Sequence, residues 1–348
     1  MLESFQPRQL TDGTSRKMTL KDVSKMAGLS LVTVSRALHR PESVREQTRQ
    51  RVQKAIEEIG YFPNLSARSL VSNRSDMIGV VVPILASSLF ADFAQGVASA
   101  LRAENKQMLL GVSQRSSATE ADAVRTFIAR QADAIIVTGF THSYACRQLL
   151  ANFGGPIVET WNLRAEKLDI AVGYDNFGAA AAMTWYLIDK GYQEIAVVGG
   201  DFENNDQAVD RRNGFVHAMR ARGRPVREEF VVSVANPTTL ESGREAIAKL
   251  LAGPVKPNAV FFQAEIPAHG AMMYCLSEGI SVPKDVAIAG FGDLSLSAML
   301  PVPLTTIRIN ARQIGETAAH MVLQRLRGDP AAERIIDVGF ELMMRQSA

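Results

Sequence analysis

The chain reads as an α/β protein in which a small all-helical head with helix-turn-helix spacing precedes two doubly wound α/β lobes. Three observations carry that prediction. Residues 19–60 hold three short amphipathic helical patterns in close succession. From residue 77 onward short apolar runs alternate with helical patterns, the signature of βαβ units and a parallel sheet. These runs are too many for one compact sheet, so two lobes are expected, with a ligand cleft lined by loops at the carboxyl ends of the strands.

In the head, Thr19 can cap a helix over 20–27 whose apolar residues Leu20, Val23 and Met26 share one face, and Gly28 supplies the left-handed position that ends it. Ser30 caps a second helix over 31–38, with Val34, Ala37 and Leu38 inward and Thr33, Ser35 and Arg36 outward. That is the spacing of a helix-turn-helix. The capping-box pattern Ser43-Val44-Arg45-Glu46 announces a third helix, which runs on Val44, Thr48, Val52, Ala55, Ile56 and Ile59 and stops at Gly60. An ordinary αα-hairpin shares this spacing but not the charge that accompanies it. Residues 1–75 hold 13 Lys and Arg against 7 Asp and Glu, a balance of +6, which leaves the rest of the chain at −4 given the total of +2. A basic end on a mildly acidic body suits an approach to phosphates.

Beyond the head, strands are expected at 77–82, 108–112, 134–138, 156–159, 170–173, 195–198, 230–234, 259–262, 286–289 and 305–309. Helices are expected between them at 90–104, 120–130, 178–190, 207–222, 240–251, 267–278 and 311–327. With 348 residues and 47% hydrophobic content the chain can bury sizeable cores. No apolar run approaches the ~18 residues of a membrane span, and the N-terminus has no apolar export segment, so the cytoplasm is the expected location and no membrane partner is expected. Residues 1–18 are polar and unpatterned and read as a disordered leader, with a basic arm at Arg16 and Lys17 as the alternative use. Cys146 and Cys275 lack metal or CxxC spacing and read as reduced structural thiols.

Catalytic patterns are missing from the sequence: there is no HExxH, GxSxG or P-loop, no GxGxxG after a strand, and the 5 histidines are scattered. Gly199-Gly200 could be a phosphate turn, yet a second lobe needs a permissive turn there anyway. No enzyme activity, cofactor or metal is therefore expected.

Val23, Ala27-Gly28-Leu29-Ser30, Thr33-Val34-Ser35-Arg36, then Gly60-Tyr61, Pro63-Asn64, Ala67 and Leu70 together resemble the lactose/galactose repressor family, with Val23-Ser24 where that family usually has Val-Ala. The resemblance continues through DIAVGYDNFGAAAAMTWYLIDKGYQEIAVVGG, RRNGF, GISVPKDVAIAGFGD and PLTTIRI, segments of a core similar to periplasmic sugar-binding proteins. DIAVGYDNFGAA and the ending DVGFELMMRQS are most similar to its gluconate-responsive branch. The resemblance implies a helix-turn-helix domain at 19–63, a hinge at 64–74 and a two-lobed effector-binding and dimerisation domain at 75–348. Its first lobe is placed at about 75–174 plus 304–329 and its second at about 175–303 plus the tail. It further implies a homodimer on a palindromic double-stranded operator, acting as a repressor under a small-molecule effector.

The resemblance makes Thr19, Ser30, Leu31, Val32, Thr33, Ser35 and Arg36 the DNA-binding candidates of the head, with base reading on the outward face of the second helix. Arg36 can grip guanine bidentately, while Leu31 and Val32 can only read shape or a thymine methyl, unless they are extra core. Asn64, Ala67 and Leu70 fall on a hinge helix for the minor groove, with Leu70 as the wedge; a plain linker is the alternative. In the cleft, Arg211 of RRNGF matches an arginine that contacts ligand hydroxyls or carboxylates. The sequence departs from the family where Ala264-Glu265 replaces Asn-Asp, and where Gly292 takes the place of an aspartate with Asp293 one position later. Losing those hydroxyl partners favours a sugar acid or phosphorylated acid over a neutral sugar. Ser87 and Ser88 are candidate polar contacts, and Phe90 and Trp161 candidate apolar walls, unless they are plain core. A solute-binding protein of a transport system would explain the lobes but not the basic head, and a two-lobed enzyme would require turnover or a cofactor.

Overall fold

Gly28 takes φ +61° and Gly60 φ +63°, and these two left-handed positions end the first and third helices of the head as their sequence positions predict. The computed structural model describes residues 18–61, 74–329 and 333–348. The leader, Met18 apart, and the hinge residues Asn64, Ala67 and Leu70 lie outside the described residues. The chain divides into two units, Met1–Ser75 and Asp76–Ala348.

In the first unit, α1 (Leu20–Ala27), α2 (Leu31–His39) and α3 (Glu46–Ile59) enclose Val23, Ala27, Val34, Ala37, Val52 and Ala55. Arg51 Nη2 donates to Ala27 O at 2.7 Å, so the third helix also ties down the end of the first. Two expectations are corrected. Met26 is 51% exposed, because the core face of α1 turns toward Ala27 instead. Ser43 caps nothing: it lies in a 3-10 turn, Pro41–Ser43, and its hydroxyl donates back to Arg40 O at 2.6 Å. Glu46 reaches forward to Arg49 and Gln50 rather than back to Ser43, so α3 starts behind Arg45 while Val44 packs on the core.

In the second unit the order is β1 (Met77–Val82), α4 (Ser88–Ala103), β2 (Gln107–Val112), α5 (Ser117–Ala129), β3 (Ala134–Thr138), α6 (Tyr144–Ala151), β4 (Ile157–Thr160) and β5 (Ile170–Gly173). There follow α7 (Asn176–Asp189), β6 (Ile195–Gly199), α8 (Asp206–Ala221), β7 (Val231–Ser233), α9 (Leu240–Ala252), β8 (Ala259–Phe262), α10 (Glu265–Ser277) and β9 (Ala287–Gly292). The chain closes with β10 (Thr305–Arg308), α11 (Ala311–Arg327), β11 (Ile335–Asp337) and β12 (Glu341–Met343).

These strands form two six-stranded sheets, ordered β11-β5-β4-β3-β1-β2 and β12-β10-β9-β8-β6-β7. The first is parallel throughout; in the second only β12 runs antiparallel, against β10. Central strands such as Ile135-Ile136-Val137 and Ala196-Val197-Val198 are buried on both faces, which is why they read as continuous apolar runs rather than alternating ones. Strand order reverses between β1 and β3 in one sheet and between β6 and β8 in the other, which opens a crevice at each set of carboxyl ends. Helices α4 and α11 pack closely because Gly96 and Gly315 face each other's backbones: a Cβ on Gly96 would sit 2.3 Å from Arg312 O, and one on Gly315 2.2 Å from Phe93 O.

The expected lobe boundary at 304 is corrected by the pairing. Thr305 faces Ala289 in parallel register, so β10 belongs to the second sheet and the return to the first lobe comes one element later, at α11. The tail also divides, with β11 on the first sheet and β12 on the second. The final residues are stitched into the second lobe: Ser347 Oγ accepts from Thr305 N at 2.8 Å and Ser347 O from Ile288 N at 2.9 Å.

Candidate functional site

The exposed face of α2 begins at Leu31 and Val32, which are 41% and 60% exposed. They are not core, so apolar side chains stand in water at the start of the helix that helix-turn-helix spacing offers to a groove. Ser30 Oγ accepts from Thr33 N at 3.2 Å and lies 2.8 Å from Thr33 Oγ1. Thr19 is bound to Asp22, its N–H donating at 2.8 Å and its hydroxyl at 2.7 Å. Those hydroxyls hold helix starts, whereas Arg36 is exposed and Ser35 half-buried on the same outward side.

Between the carboxyl ends of the two sheets lies a cleft of about 690 Å³. Arg211, on α8, crosses its floor: Nε donates to Asn176 Oδ1 at 2.8 Å and Nη1 to Gln263 O at 2.6 Å, with Gln207 Oε1 3.4 Å and Tyr174 Oη 3.5 Å from Nη2. The guanidinium also stacks 4.2 Å from the centre of the Phe291 ring. Arg115 enters from the first lobe, where burial and then the like charge of Arg211 lower its pKa. Among the described residues neither arginine has a carboxylate partner. Trp161 forms part of the wall and meets Phe90 at 4.7 Å and Phe93 at 5.6 Å between ring centres, both rings tilted against it; its φ of +73° is a conformation a tryptophan rarely adopts. Trp161 Nε1 and both polar atoms of the Gln263 amide are buried beside the cleft without hydrogen-bond partners among the described residues.

Of the expected cleft residues, Ser87, Phe90, Trp161, Arg211 and Glu265 line it, but Ser88 and Asp293 do not. Ser88 is the exposed first residue of α4. Asp293 turns away because Arg308 Nε and Arg345 Nη2 each hold one of its oxygens at 2.7 Å. Glu265 is in place but spent: its carboxylate accepts from Ser297 Oγ and, at 2.7 Å, from Thr306 Oγ1. Burial raises its pKa to about 7 against the effect of those hydrogen bonds. The missing side chain at Gly290 makes room for it, since a Cβ there would lie 2.8 Å from Glu265 Oε2.

The two lobes are bridged by Asp206 and Asp210 of the second. Asn162 Nδ2 donates to both, at 2.7 and 2.8 Å, Phe140 N donates to Asp206 at 3.2 Å, and Arg164 pairs with Asp210 at 2.6 Å. Arg115, Asn162, Asp206 and Gln263 were not singled out in the sequence. Gln263 immediately follows the carboxyl end of β8 and Asn162 stands two residues past that of β4, positions that alone could have flagged them.

One further group lies in the first-lobe wall. His142 Nδ1 is 3.0 Å from Glu120 Oε1, and its Nε2 is 3.5 Å from Glu159 Oε1, within ion-pair reach but outside hydrogen-bonding geometry. Burial pushes the imidazole pKa down, but the two carboxylates outweigh this and raise it to about 9. The Cys146 thiol is pushed up to about 12, by burial first and the neighbouring Glu120 second. Both cysteines are free and buried. No described helix is long and apolar enough to cross a membrane.

Residues 19–64 match the family described as bacterial regulatory proteins, lacI family, and residues 184–348 match a periplasmic binding protein-like domain. The chain is 32% identical over 334 residues to the HTH-type transcriptional regulator GntR of Pseudomonas aeruginosa, covering 96% of each chain. It is 30% identical over 327 residues to the regulator of the same name from Escherichia coli strain K12, covering 94% of this chain and 97% of that one. Among solved structures, a LacI-family transcriptional regulator from Silicibacter pomeroyi superposes with a TM-score of 0.86 at 29% identity, over 95% of this chain and 99% of that one.

Proposed function

Because this chain belongs to the lacI family of bacterial regulatory proteins, we propose that it is a DNA-binding transcriptional repressor that acts as a homodimer on a palindromic operator and answers to a sugar acid or phosphorylated acid. It works in the cytoplasm, with its DNA, and catalyses no reaction. The head supports the first half, with a basic balance and an outward face of Leu31, Val32, Ser35 and Arg36 on α2. The transport-protein alternative leaves that face unexplained. Minor-groove insertion of Leu70 belongs to the same proposal, and Leu70→Ala is expected to weaken specific operator binding by a few kcal/mol with little change in non-specific binding.

The single observation that carries the effector class is the pair of cleft arginines, Arg211 and Arg115, with no acidic partner among the described residues, while each cleft carboxylate is engaged within the protein. A carboxylate held by a guanidinium fork forms charge-assisted bonds of about 1.5–3 kcal/mol each, so the cleft favours an acid over its neutral aldose. Calorimetric titration of the full chain with gluconate and with glucose tests this. Tighter binding of the acid is expected, and equal affinities would overturn the effector class. Operator binding is tested separately by its salt dependence, where a log-log slope of several units is expected. Equal affinity for selected and random duplex would overturn the operator reading.

A further inference from the structure

We propose that Glu120, His142 and Cys146 form a binding site for a divalent transition-metal cation of the zinc class in the wall of the first lobe, with Glu159 as the group that orients the imidazole. The three side chains come from separate segments: Glu120 from α5, His142 from the loop after β3 and Cys146 from the first turn of α6. Each offers a ligand atom, and these atoms all lie within 4.8 Å of one another. A tetrahedral zinc shell with bonds of about 2.0–2.3 Å places its ligand atoms about 3.3–3.8 Å apart, so shifts of about 1 Å close the set around an ion. Thiolate, imidazole and carboxylate together suit zinc or cobalt rather than magnesium or calcium, which take oxygen ligands.

The imidazole is what distinguishes this cluster from a chance gathering of acids. His142 binds through Nδ1, the nitrogen that faces Glu120, and its Nε2–H then points at Glu159 Oε1, now 3.5 Å away. Nε2 is buried and without a hydrogen-bond partner among the described residues, so a small rotation of the ring toward the metal position can satisfy it. Glu159 is itself fixed, because its other oxygen accepts from Leu168 N at 2.7 Å. Carboxylate, histidine and metal in series is the usual support of a metal-binding imidazole. Glu120, His142 and Ser143 also line the cleft, so the fourth coordination position opens toward it and is filled by water or by an oxygen of a bound molecule. The site stands whatever the cleft binds.

The test is cobalt(II) titration of the full chain after chelator treatment, with no effector present. One cobalt per chain is expected, with the intense near-ultraviolet band of thiolate-to-cobalt charge transfer. Cys146→Ser, nearly isosteric, should abolish that band, and Cys275→Ser should retain it, since Cys275 lies in the apolar core of the second lobe. Glu159→Gln should keep the band while weakening cobalt binding about 10–100-fold, the loss typical of removing an orienting partner. Absence of a stoichiometric band in the unaltered chain overturns the site. So does a band that survives Cys146→Ser, and unchanged affinity in Glu159→Gln overturns the role of Glu159.

Discussion

In the second lobe the charged groups that sequence reasoning assigned to the cleft are gripped by their own neighbours. Arg211 has four acceptors around it, Asp293 is clamped by Arg308 and Arg345, and Glu265 is held by Ser297 and Thr306. The first lobe has the same sheet order but leaves Arg115 without a hydrogen-bond or ion-pair partner and Trp161 Nε1 without an acceptor among the described residues, while the second leaves only the neutral Gln263 amide unmet beside the cleft. Both residues stand at positive φ, +59° for Arg115 and +73° for Trp161, as does the clamped Asp293 of the second lobe at +51°. Strained, unsatisfied groups persist where a ligand completes them, and fully bonded groups mark a prebuilt anchor. In the proposed effector cleft the two lobes would then divide the work, the second orienting the ligand through Arg211 and the first closing on it through Arg115 and Trp161.

The sharpest way to break that division is to alter the arginine of each lobe. Arg211→Lys keeps the charge but loses the fork, so affinity for the acid should fall about 100-fold, roughly 3 kcal/mol. Arg115→Ala, removing a group that starts without partners, should cost about 10-fold. Calorimetry on both variants checks the order, and equal losses would erase the distinction between anchor and closing wall.

Glu265 tests the second lobe from within. Its folded pKa of about 7 lies above the ordinary 4.5, so the folded protein holds this proton more tightly than the unfolded chain does. Its contribution to stability is therefore neutral below about pH 4.5, declines as pH rises, and reaches its full cost above about pH 7. At about 1.4 kcal/mol per pH unit, that cost is roughly 3 kcal/mol. The groups facing the carboxylate are Ser297, Thr306, His269 at 4.0 Å and Asp293, and the hydroxyls remain available to an amide. Glu265→Gln should leave stability near pH 4.5 unchanged and raise it at pH 8. Denaturation curves of the two proteins with parallel pH dependence would show that the buried carboxyl does not bear this cost. A smaller effect is expected for Asp293→Ala, about 1–3 kcal/mol of stability lost through the Arg345 pair, with the preference for acid over aldose unchanged.

Much of this arrangement was legible in advance. Period and the caps at Thr19, Gly28, Ser30 and Gly60 gave the head, the Ser43 cap excepted, and apolar runs gave the strands at 77–82, 134–138 and 259–262 to the residue. What was not legible has physical causes. Helix α6 was missed because it is only 8 residues long and only Cys146 and Leu150 are buried. Strands β11 and β12 were missed because three residues at a sheet edge leave no apolar pattern. Asp293 kept its chemical type but not its role, because the two arginines that turn it away stand 15 and 52 positions later in the chain. Glu120, His142, Cys146 and Glu159 are spread over 40 residues and meet only when three strands and their helices stack.

The finest test lies at Trp161, where two effects of one atom can be separated. Trp161→Phe keeps an aromatic ring against Phe90 and Phe93 but deletes the buried N–H. Without ligand, that N–H is an unmet donor whose burial costs about 1–3 kcal/mol, and removing it relieves the fold. The smaller ring leaves a gap whose cost is of similar size and opposite sign, so the melting temperature of the ligand-free protein should move little. With ligand, the N–H gains an acceptor, and the variant cannot supply one; affinity should fall about 5–10-fold, roughly 1 kcal/mol. A loss of affinity at constant stability is the signature of a donor held in reserve for the ligand. If Trp161→Phe binds the acid as tightly as the unaltered chain, the indole is only a wall, and the first lobe closes on its ligand through Arg115 and shape alone.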